Sequence, residues 1–309
     1  MQDQGLELWS GSVDSWECDT NGHMNVRFYV AKHMEALATL AAELGMPRAF
    51  SQMAEATMVV REQHIRFMRE AHPAAGLYIT GGVVEMGESD ARVLTVMHHL
   101  SGEVAAVFQT VVEHVTAREL RPFAWPARVR DRAQACRVTV PADLAPRSLG
   151  LAPVVSIASA ERAQALGLAR GAYGVVAADA CDAFGRMRTE MFMSRIIQGV
   201  ARVVRGRPSP PQPGVAGAPK IGGAVLEYRL VYFAWPRAGD RIEMRSGTAW
   251  ADHRFRRLVH WLIDPDSGKV WATAEAVTAN LDLELRKLVS FTPEEQAAIQ
   301  TACLPELAL

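Results

Sequence analysis

The strongest constraint on the fold is an internal repeat that spans most of the chain. Residues 180–188 align with residues 17–25 at a constant separation of 163, the distance from Asp19 to Asp182, and four residue types are shared. The shared pairs are Cys18/Cys181, Asp19/Asp182, Gly22/Gly185 and Met24/Met187. The alignment continues with Pro73/Pro236 and Gly76/Gly239, and then with Ser101-Gly102/Ser267-Gly268 after a small insertion. A similarity that extends from residues 17–25 to Ser101-Gly102 of the first half predicts two copies of one fold.

The first half of the chain predicts one strand, one long helix and four strands. Alternating apolar residues predict a strand over Leu6–Trp16. From Arg27, apolar residues recur every three or four positions, which predicts a helix of about 18 residues with one buried face. Asn25 is its expected N-cap, and Gly45 and Pro47 are its expected end. The four predicted strands are Thr57–Arg69, Leu77–Met86, Arg92–Leu100 and Val104–Thr116.

The second half repeats this order after a proline-rich connection. We predict an N-terminal domain at 1–120, a linker at 121–160 and a C-terminal domain at 161–309. The second helix is expected to end at Gly206 and Pro208, and the stretch rich in proline, glycine and alanine that follows predicts a mobile loop. That loop is Arg207–Gly223, and four strands are predicted to begin at Ala224, Arg241, Arg254 and Val270.

A short stretch before the first helix concentrates polar chemistry. Within seven residues it contains a carboxylate (Asp19), a glycine (Gly22), an imidazole (His23) and an amide (Asn25). The helix start that follows has unpaired backbone N–H groups, which stabilise developing negative charge, and the glycine lets a substrate approach the backbone. This combination favours chemistry on a carbonyl group. The structural alternatives are a turn residue for Asp19, a buried histidine for His23 and a simple N-cap for Asn25.

The same stretch carries a family resemblance. Written as D-x-x-G-H-x-N-x-x-x-Y before a helix, Asp19, Gly22, His23, Asn25 and Tyr29 resemble the signature of the 4-hydroxybenzoyl-CoA thioesterase family and of the acyl-ACP thioesterases. The resemblance implies the hotdog fold, whose unit has the predicted order of one strand, one helix and four strands. Two copies imply an α+β double hotdog with two antiparallel sheets, each wrapped around a long central helix.

Each residue of the motif then has an expected role in thioester chemistry. Asp19 is expected to attack a thioester carbonyl directly or to take a proton from water. His23 and Asn25 are expected to position the water and the leaving group. The backbone N–H of Val26 is expected to stabilise the oxyanion at the positive end of the helix dipole. Tyr29, one turn into the helix, is expected to belong to the core.

The second copy of the motif departs from the first at three positions. Arg186 replaces the histidine, Arg188 the asparagine and Phe192 the tyrosine, while Asp182 and Gly185 are retained. We therefore expect this copy to be catalytically degraded. Thioesterases of this type build each site between two units, so its expected contribution is a wall, an acyl pocket or arginines for the phosphates of coenzyme A. The alternative is that Asp182 only caps its helix.

Composition and missing motifs exclude several classes of protein. The 309-residue chain has a formal net charge of −1 and is 49% hydrophobic, without the basic excess typical of nucleic-acid binding. No apolar run is long enough to cross a bilayer, and the first ten residues do not resemble a secretion signal. The four scattered cysteines have no metal-ligand spacing, so we expect a cytoplasmic protein without metal or cofactor. P-loop, dinucleotide and G-x-S-x-G motifs are absent.

The function favoured by the sequence is hydrolysis of an acyl-CoA or acyl carrier protein thioester at one site per chain. The closest alternative is a hotdog enoyl-thioester hydratase or dehydratase. The motif that those enzymes share has its Asp and His one residue further apart than Asp19 and His23, with a proline between them. No proline separates Asp19 from His23. The alternative from another class is a non-catalytic acyl-CoA-binding protein. Fold analogy predicts a homo-oligomer.

Overall fold

The computed structural model describes residues 5–203 and 221–309. These residues form two compact units, one with residues up to Pro146 together with Ala177–Met193, the other with Arg147–Val176 and Ser194–Leu309. The helices are α1 (Val26–Glu43), α2 (Ala127–Ala135), α3 (Ala160–Ala165), α4 (Thr189–Val203) and α5 (Pro293–Thr301). The strands are β1 (Leu6–Ser12), β2 (Ala56–Phe67), β3 (Gly76–Met86), β4 (Asp90–His99), β5 (Val104–Thr116), β6 (Ala169–Val175), β7 (Ile221–Tyr232), β8 (Arg241–Ala251), β9 (Phe255–Ile263), β10 (Val270–Asp282) and β11 (Lys287–Val289).

The five strands of the first unit pair antiparallel in the order β1-β3-β4-β5-β2. Strands β2 to β5 begin and end within two residues of the predicted bounds, which confirms those predictions. The first strand is shorter than predicted, because it ends at Ser12 and a 3₁₀ turn occupies Ser15–Glu17. The residue between them, Val13, exchanges backbone hydrogen bonds with Ala74 and Ala75, so the chain leaves β1 before reaching the motif.

Helix α1 packs one buried face against the strands of its unit. It has the predicted length of 18 residues, its N-cap is Asn25, and Gly45 beyond its end has a positive φ of 86°. Its buried face includes His33, which is fully enclosed and stacks on Phe108 with ring centroids 4.4 Å apart. The two ring nitrogens of His33 are hydrogen-bonded to the hydroxyls of Thr95 in β4 (2.8 Å) and Thr110 in β5 (3.0 Å), so both nitrogens are satisfied.

The proline-rich segment after β5 is bonded to the strands. It contains α2, whose buried residues include Val129 and Ala133. The indole N–H of Trp125 donates to the carbonyl of Asp90 at 2.9 Å, and the guanidinium of Arg66 donates to the carbonyls of Asp143 and Ala145, both at 2.7 Å. These bonds fasten the segment to β4 and β2. The assignment of residues 121–160 as a linker between two hotdog domains stays a prediction.

The strands of the second unit pair antiparallel in the order β7-β10-β9-β8-β6, and β11 pairs with β10. Strands β8 and β10 begin at the predicted residues, and β9 begins one residue later than predicted. The predicted loop Arg207–Gly223 is wrong at its end, because residues 221–223 pair with β10. The rest of that loop and the expected helix end at Gly206 and Pro208 lie outside the described residues.

The backbone hydrogen bonds of the two units fix the register of the repeat. At the motif the separation is 163: the Asp19 N–H bonds to the His23 carbonyl, and the Asp182 N–H bonds to the Arg186 carbonyl. From residue 68 to residue 75 it is 165. The matched bonds Ala75 to His72 and Asp240 to Arg237 show this, as do the matched donors Met68 and Phe233, and Ala74 and Gly239. The sequence pairing of Pro236 with Pro73 and Gly239 with Gly76 is therefore wrong by two residues. Gly239 corresponds to Ala74, and both have positive φ.

Candidate active site

The first motif folds into a tight turn that brings Asp19 and His23 together. The Asp19 N–H donates to the His23 carbonyl at 2.9 Å, and the Gly22 N–H donates to the Asp19 carbonyl at 3.0 Å. Gly22 has a φ of 80°, a conformation that favours glycine, so its predicted role in a tight turn is confirmed. The Asn21 N–H donates to Asp19 Oδ1 at 2.8 Å, which holds the carboxylate in an Asx turn. Oδ2 is left on the side of the imidazole.

The imidazole of His23 lies between two carboxylates. Its Nδ1 is 3.6 Å from Asp19 Oδ2, and its Nε2 is 3.6 Å from Glu70 Oε1. The side chains are partly accessible, with 27% of Asp19, 18% of His23 and 30% of Glu70 exposed, so a substrate can reach them while they keep a shared environment. A positive charge on the imidazole would therefore face a carboxylate on each side.

Sequence reasoning missed Glu70. It lies in the connection between β2 and β3, and no local motif marks it. The signal available in the sequence was a single acidic residue just after a strand, which is common in loops and points to nothing by itself.

Asn25 and Val26 form the start of helix α1. Asn25 Oδ1 accepts the N–H of Arg27 at 3.0 Å, and the Asn25 N–H donates to the Glu17 carbonyl at 2.9 Å. The side-chain oxygen of Asn25 is therefore used as a cap. Val26 is the first helical residue, and its N–H has no hydrogen-bond partner among residues 5–203 and 221–309. An amide in this position is available to an anion or a polarised carbonyl oxygen.

The connection that carries Glu70 is fastened to the motif by several hydrogen bonds. The Met24 N–H donates to the Ala71 carbonyl at 2.7 Å, and Nδ1 of His72 donates to the Gly22 carbonyl at 3.0 Å. The hydroxyl of Tyr29 accepts the Ala71 N–H at 3.0 Å and donates to the Arg69 carbonyl at 3.5 Å. Burial raises the pKa of Tyr29 to about 12, against the opposing effect of the Ala71 hydrogen bond, so the hydroxyl keeps its proton.

A buried ion pair joins helix α1 to the residues just before Asp19. Lys32 Nζ lies 2.8 Å from Glu17 Oε1, and only 7% and 10% of these side chains are exposed. Glu17 Oε2 accepts the Asp14 N–H at 3.0 Å, so both oxygens of this carboxylate are satisfied. The thiol of Cys18, next in the chain, is not an alternative nucleophile. Burial and the charges of Asp19 and Glu17 raise its pKa, which disfavours the reactive thiolate.

The second motif keeps the turn but not the open carboxylate. The N–H groups of Phe184 (2.8 Å) and Arg186 (2.9 Å) donate to Asp182 Oδ1, and Gly185 has a φ of 74°. The guanidinium of Arg186 donates to Asp182 Oδ2, with Nε and Nη2 both at 3.1 Å. Its Nη1 donates to the Ala117 carbonyl at 3.4 Å. Both oxygens of Asp182 therefore bind this copy's own turn, whereas in the first copy Oδ2 faces a titratable imidazole.

No group of three or more His, Cys, Asp or Glu side chains in the described part of the chain has an arrangement that could hold a metal ion. His98 in β4 is buried, and its Nε2 is hydrogen-bonded to Thr80 Oγ1 at 3.1 Å. All four cysteines are free thiols. Within residues 5–203 and 221–309, no helix combines the length and the apolar composition needed to cross a bilayer.

The family model of the thioesterase-like superfamily matches residues 13–133 and 175–299. The chain belongs to the thioesterase-like superfamily. The matched segments contain both copies of the motif. The predicted family and the predicted enzyme class, a thioester hydrolase, are thereby confirmed. The comparison with curated proteins gives no match.

Three solved thioesterase structures have the same fold over nearly the whole chain. An oleoyl thioesterase from Lactobacillus plantarum has a TM-score of 0.67 at 10% identity, with 90% of this chain and 97% of that chain covered. An acyl-ACP thioesterase from Bacteroides thetaiotaomicron has a TM-score of 0.62 at 10% identity (87% and 96% covered). The 12:0-ACP thioesterase from Umbellularia californica has a TM-score of 0.63 at 12% identity (88% and 93% covered). At such identities the likeness establishes a hotdog-like thioesterase fold.

Proposed function

We propose that this thioesterase-superfamily protein hydrolyses acyl thioesters at one site per chain, formed around Asp19, His23 and Glu70. The observation that carries the proposal is the row of three titratable side chains, in which the imidazole lies 3.6 Å from a carboxylate on each side. This row supplies a carboxylate that can act as base or nucleophile and an imidazole that can carry a proton, and the second carboxylate faces the imidazole from the other side. The uncommitted amide of Val26 adds a donor for the oxyanion.

In the general-base route, Asp19 takes a proton from water while the water oxygen bonds to the thioester carbon. Negative charge develops on the carbonyl oxygen, where the Val26 N–H stabilises it, and Gly22 leaves the backbone open to the substrate. The C–S bond then breaks, and the thiolate takes a proton from the His23 imidazolium. The proton on Asp19 passes to His23, which restores both groups. Glu70 holds that imidazolium, and Asn25 keeps the helix start, and with it the Val26 amide, in place.

In the nucleophilic route, an oxygen of Asp19 bonds directly to the thioester carbon. The thiolate leaves with the C–S electron pair and is protonated by His23, which produces a mixed anhydride between the acyl group and Asp19. Water then cleaves the anhydride, and His23 accepts the proton that the water loses. Both routes use the same residues at the same atoms of the thioester. In both, Oδ2 of Asp19 is the reacting oxygen.

The second copy is proposed to be catalytically silent. Arg186 donates two hydrogen bonds to Asp182 Oδ2 and lies as a fixed positive charge where the first copy has His23. Both oxygens of Asp182 are therefore already bonded to donors of this copy's own turn.

The finer architecture belongs to the same proposal. We propose a double hotdog with two antiparallel sheets, each wrapped around a long helix, and domains at 1–120 and 161–309 joined by residues 121–160. The contacts of α1 with the strands of its unit support this arrangement for the first domain. The names of two solved relatives, which act on acyl-ACP, keep acyl carrier protein beside coenzyme A as the proposed carrier. A cytoplasmic location and a homo-oligomer stay predictions.

Thiol release from a panel of short, branched, aromatic and long acyl-CoA and acyl-ACP thioesters tests the function. We expect wild type to cleave at least one of them, Asp19→Asn to be inactive and Asp182→Asn to remain active. Loss of activity in both variants would show that the second copy is a working site. A wild type that binds acyl-CoA without cleaving it would favour a binding protein, and hydration of an enoyl thioester would favour a hydratase.

A further inference from the structure

The hydroxyl of Tyr29 has a position that its predicted core role does not explain. The ring is 4% exposed and packs edge-to-face on Phe67, with centroids 5.3 Å apart, which is ordinary core packing. The hydroxyl, however, bonds the residues on both sides of Glu70: it donates to the Arg69 carbonyl and accepts the Ala71 N–H. A core ring needs no hydroxyl, and burying one costs free energy unless it is paired.

We propose that Tyr29 is a positioning residue that holds Glu70 against His23, an inference that rests on the proposed function. The two bonds fix the peptide groups before and after Glu70, and the Met24 N–H fastens the Ala71 carbonyl to the motif. The backbone from which the Glu70 side chain extends is thereby held in place relative to the motif that carries His23. We call Tyr29 together with the backbone of residues 69–71 the clamp. The clamp sets the distance between the Glu70 carboxylate and the His23 imidazole.

The second half of the chain provides an internal comparison. In the register fixed by the backbone hydrogen bonds, Glu70 corresponds to Trp235 and Ala71 to Pro236, and in the motif register Tyr29 corresponds to Phe192. Phenylalanine has no hydroxyl, and proline has no N–H to donate to one. The second half, in which Arg186 replaces the histidine, therefore also lacks the carboxylate, the tyrosine hydroxyl and the backbone N–H that bonds this hydroxyl. The joint loss is expected if these groups serve one task.

A double-mutant cycle with Tyr29→Phe and Glu70→Gln tests the clamp on the full-length chain. Tyr29→Phe keeps the ring, and Phe192 shows that phenylalanine is accepted at the corresponding buried position. We expect kcat to fall roughly 10- to 100-fold with KM nearly unchanged, because a small displacement of a catalytic group affects the chemical step more than binding. In the Glu70→Gln background the same substitution should cost almost nothing further in kcat, because both variants remove one contribution.

Amide hydrogen exchange gives a readout that needs no substrate. Loss of the Tyr29 hydroxyl should make the Ala71 N–H exchange roughly tenfold faster, the effect of one lost hydrogen bond. Tyr228→Phe is the matched control, since Tyr228 is 2% exposed, belongs to the other unit and takes no part in these bonds. It should leave kcat and the Ala71 exchange rate unchanged.

The outcomes separate the clamp from the hydrolase. Fully additive losses in the double variant, or faster Ala71 exchange with wild-type kcat, would overturn the positioning role of Tyr29. An unchanged Ala71 exchange rate in Tyr29→Phe would overturn the clamp itself. A wild type that cleaves no thioester would overturn the proposed function alone, because the exchange experiment would still report whether the hydroxyl fastens the connection.

Discussion

The buried histidine of helix α1 makes the stability of this protein depend on pH in a predictable direction. His33 is fully enclosed between α1 and Phe108, and burial lowers its pKa from 6.5 to about 3. The unfolded chain therefore binds a proton near pH 6.5 that the folded chain rejects. The free energy that this group contributes is fully present above pH 6.5 and is lost as the pH falls from 6.5 towards 3.

The loss between pH 7 and pH 5 can be calculated from these two values. Over that interval the folded imidazole stays neutral while the unfolded one becomes almost fully protonated, which removes about 2 kcal/mol of unfolding free energy. Continuing to pH 3 raises the total to roughly 4 to 5 kcal/mol. The pH dependence of one buried side chain thus amounts to a substantial part of the unfolding free energy of a typical domain.

His33→Gln isolates this contribution. An amide can still bond the Thr95 and Thr110 hydroxyls, which now bond the two ring nitrogens, but it does not titrate. Urea unfolding at pH 7 and pH 5, followed by far-ultraviolet circular dichroism, measures the difference for each protein. We expect wild type to lose about 2 kcal/mol more than His33→Gln between the two pH values. His260, buried with a pKa of about 3, titrates equally in both proteins and cancels.

The two proteins serve as controls for each other, since any general loss of packing in His33→Gln appears at both pH values. Parallel pH dependences in wild type and variant would refute the reasoning, because they would show that His33 does not exclude its proton in the folded state.

Three further predictions concern the motif and its support. Asn25→Ala should lose about 1 kcal/mol of unfolding free energy with the helix cap, whereas Asn25→Ser should keep the stability; if thiol release by Asn25→Ser also stays at the wild-type rate, the residue acts only as a cap. Lys32→Met should cost about 3 kcal/mol by leaving Glu17 buried and unpaired, and the double change with Glu17→Leu should recover part of this in chemical denaturation. Arg186→Met should lower the thermal midpoint, because Arg186 bonds Asp182 and the Ala117 carbonyl, and equal midpoints would show that the pair adds no net stability.

The elements around the motif could be predicted because their limits are chemically marked. Asn25 and Gly45 define the two ends of α1, and β2 to β5 alternate with glycine and proline turns, so few alternatives compete. Helix α2 was missed because its surface is mostly charged and prolines surround it, which hides its short apolar face. Strand β6 was missed because Gly171 and Gly174 interrupt the strand pattern.

The site was predictable only in its local part. Asp19 and His23 are four residues apart, so the turn chemistry alone brings them together. Glu70 reaches them through the pairing of β2 with β5 and the bonds of residues 69–72, which no local pattern encodes. The correspondence of Ala71 with Pro236 was hidden for a different reason. Proline and glycine recur in turns, and matching Pro236 to Pro73 gave a plausible register that the hydrogen bonds correct.

The two Asx turns have a consequence for how duplicated copies of a motif accumulate substitutions. The turn is built from backbone amides, one aspartate oxygen and a glycine with positive φ, and none of these depends on the histidine or on Glu70. A copy can therefore lose its chemistry by ordinary point substitutions while its fold persists, and selection for folding alone will preserve the Asp-x-x-Gly signature. Because the second copy is proposed to be silent, we expect that counting this signature in a genome overestimates the number of working sites. The proposed marks of a working copy are the histidine directly after the signature and a glutamate elsewhere in the chain.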